Sequence, residues 1–178
     1  NLKQNDLQNI KEIINVYNKS NGMNLMALSA FVMSDYKPRV NIINITPRII
    51  KPVFPRLMHK NKITSDTWAI VRNVNTIGSA HGLDSHIATL WRHLAYWPEF
   101  LSLVYENFKP LDSSGEIIKA QENILIHVKE NGINLKRQKI KYTDINDIAL
   151  NTIQNYVHTT NQVIRMVVLG NMMDKWLR

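Results

Sequence analysis

Prolines divide this chain. Four of the six fall between residues 37 and 56, in KPRVNIINITPRIIKPVFPR. Each proline lacks a backbone N–H and its ring clashes with the preceding turn, so no continuous helix can cross the stretch. The simplest reading is an extended connector over the surface, with at most one short strand in its Val-Ile run. On both sides apolar residues recur at spacings of three and four, the pattern of helices with one buried face. The chain therefore reads as two helical blocks around a non-helical link, and the fold class is all-α.

In the first block Asp6 suits a helix cap, and Leu7, Ile10, Ile14 and Tyr17 follow on one face. The pattern resumes after Asn21-Gly22 with Met23, Met26, Ala27 and Phe31, and Gly22 either kinks one helix or separates two. Beyond the connector, Ser65 and Asp66 open a helix carrying Trp68, Val71, Val74 and Ile77, which GSAHG ends. Next, Ile87, Leu90, Leu94 and Trp97 share a face. Pro98 suits the first turn of a new helix, where its missing N–H is not needed. Phe100, Leu101, Val104, Tyr105 and Phe108 form the stripe of that helix, and Pro110 is expected to stop it. A Ser113-x-x-Glu116 capping box opens the following helix and Asn131-Gly132 signals its end. The last helix is expected to begin near Thr143-Asp144 and to carry Ile145, Ile148, Thr152, Tyr156, Val163 and Val167.

With 178 residues, 44% of them hydrophobic, the chain can fold as one domain around its own core. Cysteine is absent, which excludes disulfides, thiol nucleophiles and thiolate metal sites and fits a reducing compartment such as the cytoplasm. The chain begins with Asn1, so an export signal upstream stays open. No apolar run reaches the ~18 residues of a membrane span, so no membrane partner is expected. No HExxH or other metal-ligand spacing occurs, and no phosphate-binding glycine loop, so neither metal nor cofactor is expected.

The net charge of +8 is concentrated: residues 36 to 65 hold seven Lys or Arg and no acid, and Lys136, Arg137, Lys139 and Lys141 form a second cluster. Such clusters can track phosphates. No nucleic-acid motif accompanies them, so a solvated basic surface, or a rim that draws in a small anion, is the expectation. A homodimer is left open.

The two blocks also resemble each other. Asp6 answers Asp144, Ile10 answers Ile148, Ile14 answers Ile153 and Tyr17 answers Tyr156. On that pairing residues 1–35 are the end of one repeat, 36–64 the connector and 65–178 a complete second repeat.

The run LWRHLAYWPEFL, followed by a helix and KPL, together with VYNKSNG and KPVFPRL, resembles the group I 2-haloacid dehalogenase family. The likeness extends over nearly the whole chain, with the front of the first repeat absent. It implies an all-α fold of two repeats joined by a proline-containing linker. It also implies a pocket between them for a small carboxylic acid or other small ligand. In the family an aspartate activates water to displace halide from a short 2-halocarboxylic acid, and an asparagine helps to hold that water.

Carried over, the asparagine falls on Asn21, or on Asn18 if the alignment slips, and the aspartate falls on Leu90, eight residues before Pro98. Leucine takes no proton, so hydrolysis by the family's route lacks its base. His93, about 60° around the helix from Leu90, is the candidate replacement. Asp84 and His86 lie nearby; a helix cap and a boundary histidine are the plainer readings of those two. Arg92 points away from the Leu90 face. Tyr17, Leu90, Trp97, Tyr156 and His158 are expected to surround the ligand. The alternative is a non-catalytic protein that binds a small ligand or assembles on the same fold.

Overall fold

The computed structural model describes residues 2–32, 39–40, 54–79, 86–137, 142–144, 152 and 160–178. Its helices are α1 (Gln4–Val32), α2 (Ser65–Thr76), α3 (Thr89–Leu94), α4 (Pro98–Ser113), α5 (Glu116–Arg137) and α6 (Thr160–Trp176). A 3-10 turn at Lys60–Lys62 precedes α2. One antiparallel ribbon pairs β1 (Arg39–Val40) with β2 (Tyr142–Asp144), with an irregularity in its register. The architecture is all-α, and no helix among the described residues is long and apolar enough to cross a membrane.

α1 packs along α5 and α6, α2 packs on α4, and the short α3 sits among α1, α2 and α4. The main core gathers Ile10, Ile13 and Ile14 of α1, Val74 of α2, Trp91 of α3, Phe100 and Leu101 of α4 and Leu169 of α6. A smaller cluster of Leu25, Val128, Ile164 and Val167 closes the far end of α1, α5 and α6. Both follow from the three- and four-residue spacing, which stacks each side chain one turn above the last.

Several helix ends differ from their local signals. α1 runs unbroken through Gly22, where a side chain would meet open space. Its cap is Lys3, and Asp6 on the first turn reaches back to accept from the Lys3 N–H at 3.1 Å. Thr64, not Ser65, caps α2 through the Thr67 N–H. α4 passes Pro110 to Ser113, so the proline's missing N–H and the crowding of its ring against the preceding turn do not end this helix. The α4–α5 corner is made by Gly115 at φ +81°, with Ser114 Oγ on Glu116, so the expected box at Ser113 does not form. α5 continues past a buried Gly132 to Arg137, since a glycine costs only ~1 kcal/mol in a helix. Asp144, expected near a helix start, lies in β2 opposite Arg39. The repeat is not confirmed: Ile148, Ile153 and Tyr156 fall outside the described residues, and Asp144 is in a strand where Asp6 is in a helix.

Two features fix how the helices sit. Position 170 on α6 is buried, and a Cβ there would overlap Asn18 Oδ1 of α1, so glycine leaves the room that the Asn18 side chain fills. After α2, Gly78 at φ +71° donates its N–H to Asp112 Oδ1 at 2.8 Å and accepts from Gln121 Nε2 at 2.9 Å. Asp112 is also paired with Lys109 at 2.6 Å, so one carboxylate ties α2 to the end of α4.

Candidate functional site

A cavity of about 550 Å³ opens between α1, the 86–90 segment and α6. Tyr17 and Asn21, one turn apart on α1, form one wall, and Ala88, Thr89 and Leu90 form another. α6 supplies Gln162 and Arg165 in one row and Val163 and Met166 in the row beside it, each pair at i, i+3 spacing. Leu90, Arg165 and Met166 are buried and make the floor. His86 and Thr89 are exposed and stand at the mouth.

The floor is held from α2. Asn75, 3% exposed, donates its Nδ2 to the His86 carbonyl at 3.1 Å and accepts from the Ala88 N–H at 3.2 Å. One amide thus satisfies two backbone groups of the segment that carries Ala88, Thr89 and Leu90. The Asn75 carbonyl in turn accepts from Arg165 Nη1 at 3.0 Å, which anchors a guanidinium that is 3% exposed. A buried cation in the wall favours a negative charge beside it far more than it would in water. Among the described residues the lining has no Asp or Glu, so its only formal charge is positive. No group of His, Asp or Glu among the described residues could hold a metal ion.

Of the residues expected at a ligand site, the structure brings Tyr17, Asn21 and Leu90 together in this lining. Tyr156 and His158 lie outside the described residues. His93 and Trp97 are elsewhere. Trp97 is buried, and its indole N–H, ahead of the Lys3 N–H, holds the Asp6 carboxyl below its usual value.

His93 is buried between Tyr17 and the segment at 54–59. Its Nε2 lies 2.6 Å from the Pro55 carbonyl, which can only accept, so that nitrogen carries a proton. Nδ1 meets the Tyr17 hydroxyl at 3.4 Å. Phe54 and Tyr17 pack edge-on against the ring at 5.4 and 5.9 Å. Both nitrogens are engaged, and neither touches the cavity except through Tyr17, whose hydroxyl burial pushes above its usual value. The neighbours of His93 work in the same way. Arg92 Nη2 donates to the Met58 carbonyl at 3.1 Å, and the Tyr96 hydroxyl donates to the Arg56 carbonyl at 3.1 Å. Three polar side chains on and just after α3 thus hold three carbonyls of a segment that has no helix or strand to pair them.

Arg165 and Asn75 are the residues that sequence reasoning missed. Arg165 leaves one signal: it is the sole charge in QVIRMVVLG, and a lone cation inside an apolar run must be buried with a partner or line a cavity. Asn75 leaves none, because its partners are backbone groups 11 and 13 residues away.

The chain matches no protein-family model, no curated protein and no solved structure.

Proposed function

We propose that this protein binds a small organic carboxylic acid in the cavity between α1, the 86–90 segment and α6, without hydrolysing it by an aspartate-activated water. The observation that carries the reading is a 550 Å³ cavity whose described lining has no acid and includes Arg165, a buried residue anchored to the Asn75 carbonyl. A guanidinium presents its donors in a planar fork that matches a carboxylate. Asn21 and Tyr17 add an amide and a hydroxyl on the facing wall. The resemblance to group I haloacid dehalogenases supports the same ligand class, and Asn21 and Leu90 are the positions it points to in this lining.

The same likeness argues against turnover. Leu90, 2% exposed, occupies the position where those enzymes carry the aspartate. Displacing halide by water needs a base within hydrogen-bond reach of that water. His93 does not replace the acid, since its ring is committed to Pro55 and Tyr17.

Calorimetric titration with racemic 2-chloropropionate, propionate and 1-propanol, alongside a halide-release assay, tests this reading. Binding of both acids, weaker or absent binding of the alcohol, and no halide release are expected. Steady halide release by the unaltered protein would refute the non-hydrolytic reading. Equal binding of acid and alcohol would refute the role of Arg165. Leu90→Asp restores a carboxylate at the cavity floor, and halide release confined to that variant is the expected gain.

A further inference from the structure

We infer that the segment 54–62, held onto α3, is a binding platform for single-stranded nucleic acid. Arg56, Lys60 and Lys62 meet its phosphates, and the exposed Tyr96 ring stacks on a base. The inference does not depend on the cavity or its ligand. Residues 36 to 65 hold seven Lys or Arg and no acid, so nothing within that stretch neutralises them. In its described part Arg56, His59, Lys60 and Lys62 are exposed, the last two on the 3-10 turn. The first acid beyond it, Asp66, accepts from Ser65 Oγ at the start of α2. The ion pairs seen among the described residues lie on α4, on α5 and at the end of α6, and none takes a cation from this segment. Cations gathered without acids keep their field for a polyanion, and each phosphate they meet releases counterions. The β1–β2 ribbon adds to the charge: it sets Val40 opposite Tyr142, the residue that follows the basic run 136–141.

Two features separate this surface from a merely solvated loop. Its backbone is fixed: Arg92, His93 and Tyr96 hold the carbonyls of Met58, Pro55 and Arg56. A held backbone presents its cations with less ordering left to do when a ligand arrives. An aromatic ring also stands among the cations. Tyr96 is 42% exposed and its hydroxyl donates to the Arg56 carbonyl at 3.1 Å, so an exposed ring and Arg56 share one site. Bases stack on such rings whatever their sequence, while cations track the phosphates of the strand. A duplex keeps its base faces stacked inside, so the ring selects for a single strand. A membrane surface does not fit. Lipid binding calls for a row of apolar side chains turned outward. Here Phe54 and Met58 pack on the core and Ile63 is buried, which leaves Leu57 as the exposed apolar residue of the segment.

The test is fluorescence anisotropy of the intact chain with a labelled short oligothymidylate and with a duplex of equal length. Co-sedimentation with vesicles of phosphatidylserine and phosphatidylcholine runs beside it. The single strand is expected to bind more tightly than the duplex and to lose at least about tenfold in affinity between about 50 and 200 mM salt. Lys60→Glu combined with Lys62→Glu, both on the exposed turn, should cost at least about tenfold with an unchanged melting temperature. Tyr96→Leu should cost about fivefold or more. Tyr96→Phe keeps the ring and loses the hydroxyl bond, and should retain the affinity of the unaltered chain. Equal losses in Tyr96→Leu and Tyr96→Phe would assign Tyr96 to holding the segment alone and remove the single-strand reading. Absence of binding to the oligothymidylate at the lower salt, or binding that the double charge reversal leaves unchanged, overturns the proposal. So does a duplex bound as tightly as the single strand, or binding to vesicles without binding to the oligothymidylate.

Discussion

α3 and its flanks present polar side chains to two neighbourhoods, and the two treat them in opposite ways. Toward residues 54–59, Arg92, His93 and Tyr96 meet carbonyls of the protein's own backbone at 2.6–3.1 Å. Toward α1 and α6, Thr89 and His86 edge a cavity whose floor holds Leu90, Arg165 and Met166. On the first side the polar groups replace the hydrogen bonds that a proline-rich segment cannot make for itself. On the second they surround empty volume. The residue types alone do not distinguish the roles; the location of the partner does. A histidine beside an apolar face reads as a candidate base in the sequence and proves to be a clasp in the fold.

That contrast can be broken by substitutions on one side at a time. His93→Leu should be the most damaging, since it leaves the half-buried Pro55 carbonyl and the Tyr17 hydroxyl without their partner; a loss of about 2–4 kcal/mol in denaturant unfolding is expected. Arg92→Met removes the Met58 contact while keeping most of the aliphatic packing and should cost about 1–2 kcal/mol. Tyr96 is exposed, so Tyr96→Phe should cost less than about 1 kcal/mol. Asn21→Leu, in the cavity wall, should change stability by no more than about 0.5 kcal/mol yet weaken carboxylate binding several-fold. If His93→Leu instead kept full stability and lost ligand binding, the two sides would have to be exchanged.

The smallest effect is one of pH. Trp97 and Lys3 hold the Asp6 carboxyl below its usual value of 3.8. A depressed folded value means that this contribution is present above the unfolded value and is lost as pH falls through the folded one. The melting temperatures of the unaltered protein and Asp6→Asn should therefore converge below about pH 4 and separate slightly above it. A constant difference from pH 2 to 6 would show that the Trp97 contact carries no charge-dependent stability.

The elements were largely legible because apolar periodicity reports burial directly. Ile10 and Ile14, Val71 and Val74, and Phe100 with Val104 and Phe108 all face the core as their spacing requires. The Trp97-Pro98 corner was legible because proline suits a first helical turn. Helix ends were not, since cap and stop preferences of about 1 kcal/mol are weak signals, and α5 runs past Gly132 to Arg137. The β1–β2 pairing was hidden because its strands lie about a hundred residues apart and are too short to show an alternating pattern. At the cavity, Asn21 and Leu90 were singled out by the family resemblance and Tyr17 by the repeat pairing, whereas Asn75 acts through backbone contacts that leave no spacing to read.

The glycine at 170 has a consequence for the cavity that it does not line. Gly170 sits one turn beyond Met166, and Asn18, the side chain lying over it, falls between Tyr17 and Asn21 on α1. The notch therefore acts as a gauge block between the two helices that carry facing walls, setting the calibre of the opening from outside it. A methyl group at 170 would overlap the Asn18 side chain, which must turn away or carry α1 with it, a disturbance that starts outside every group lining the cavity. Selectivity by width, in this fold, is set where one asparagine side chain seats on one glycine.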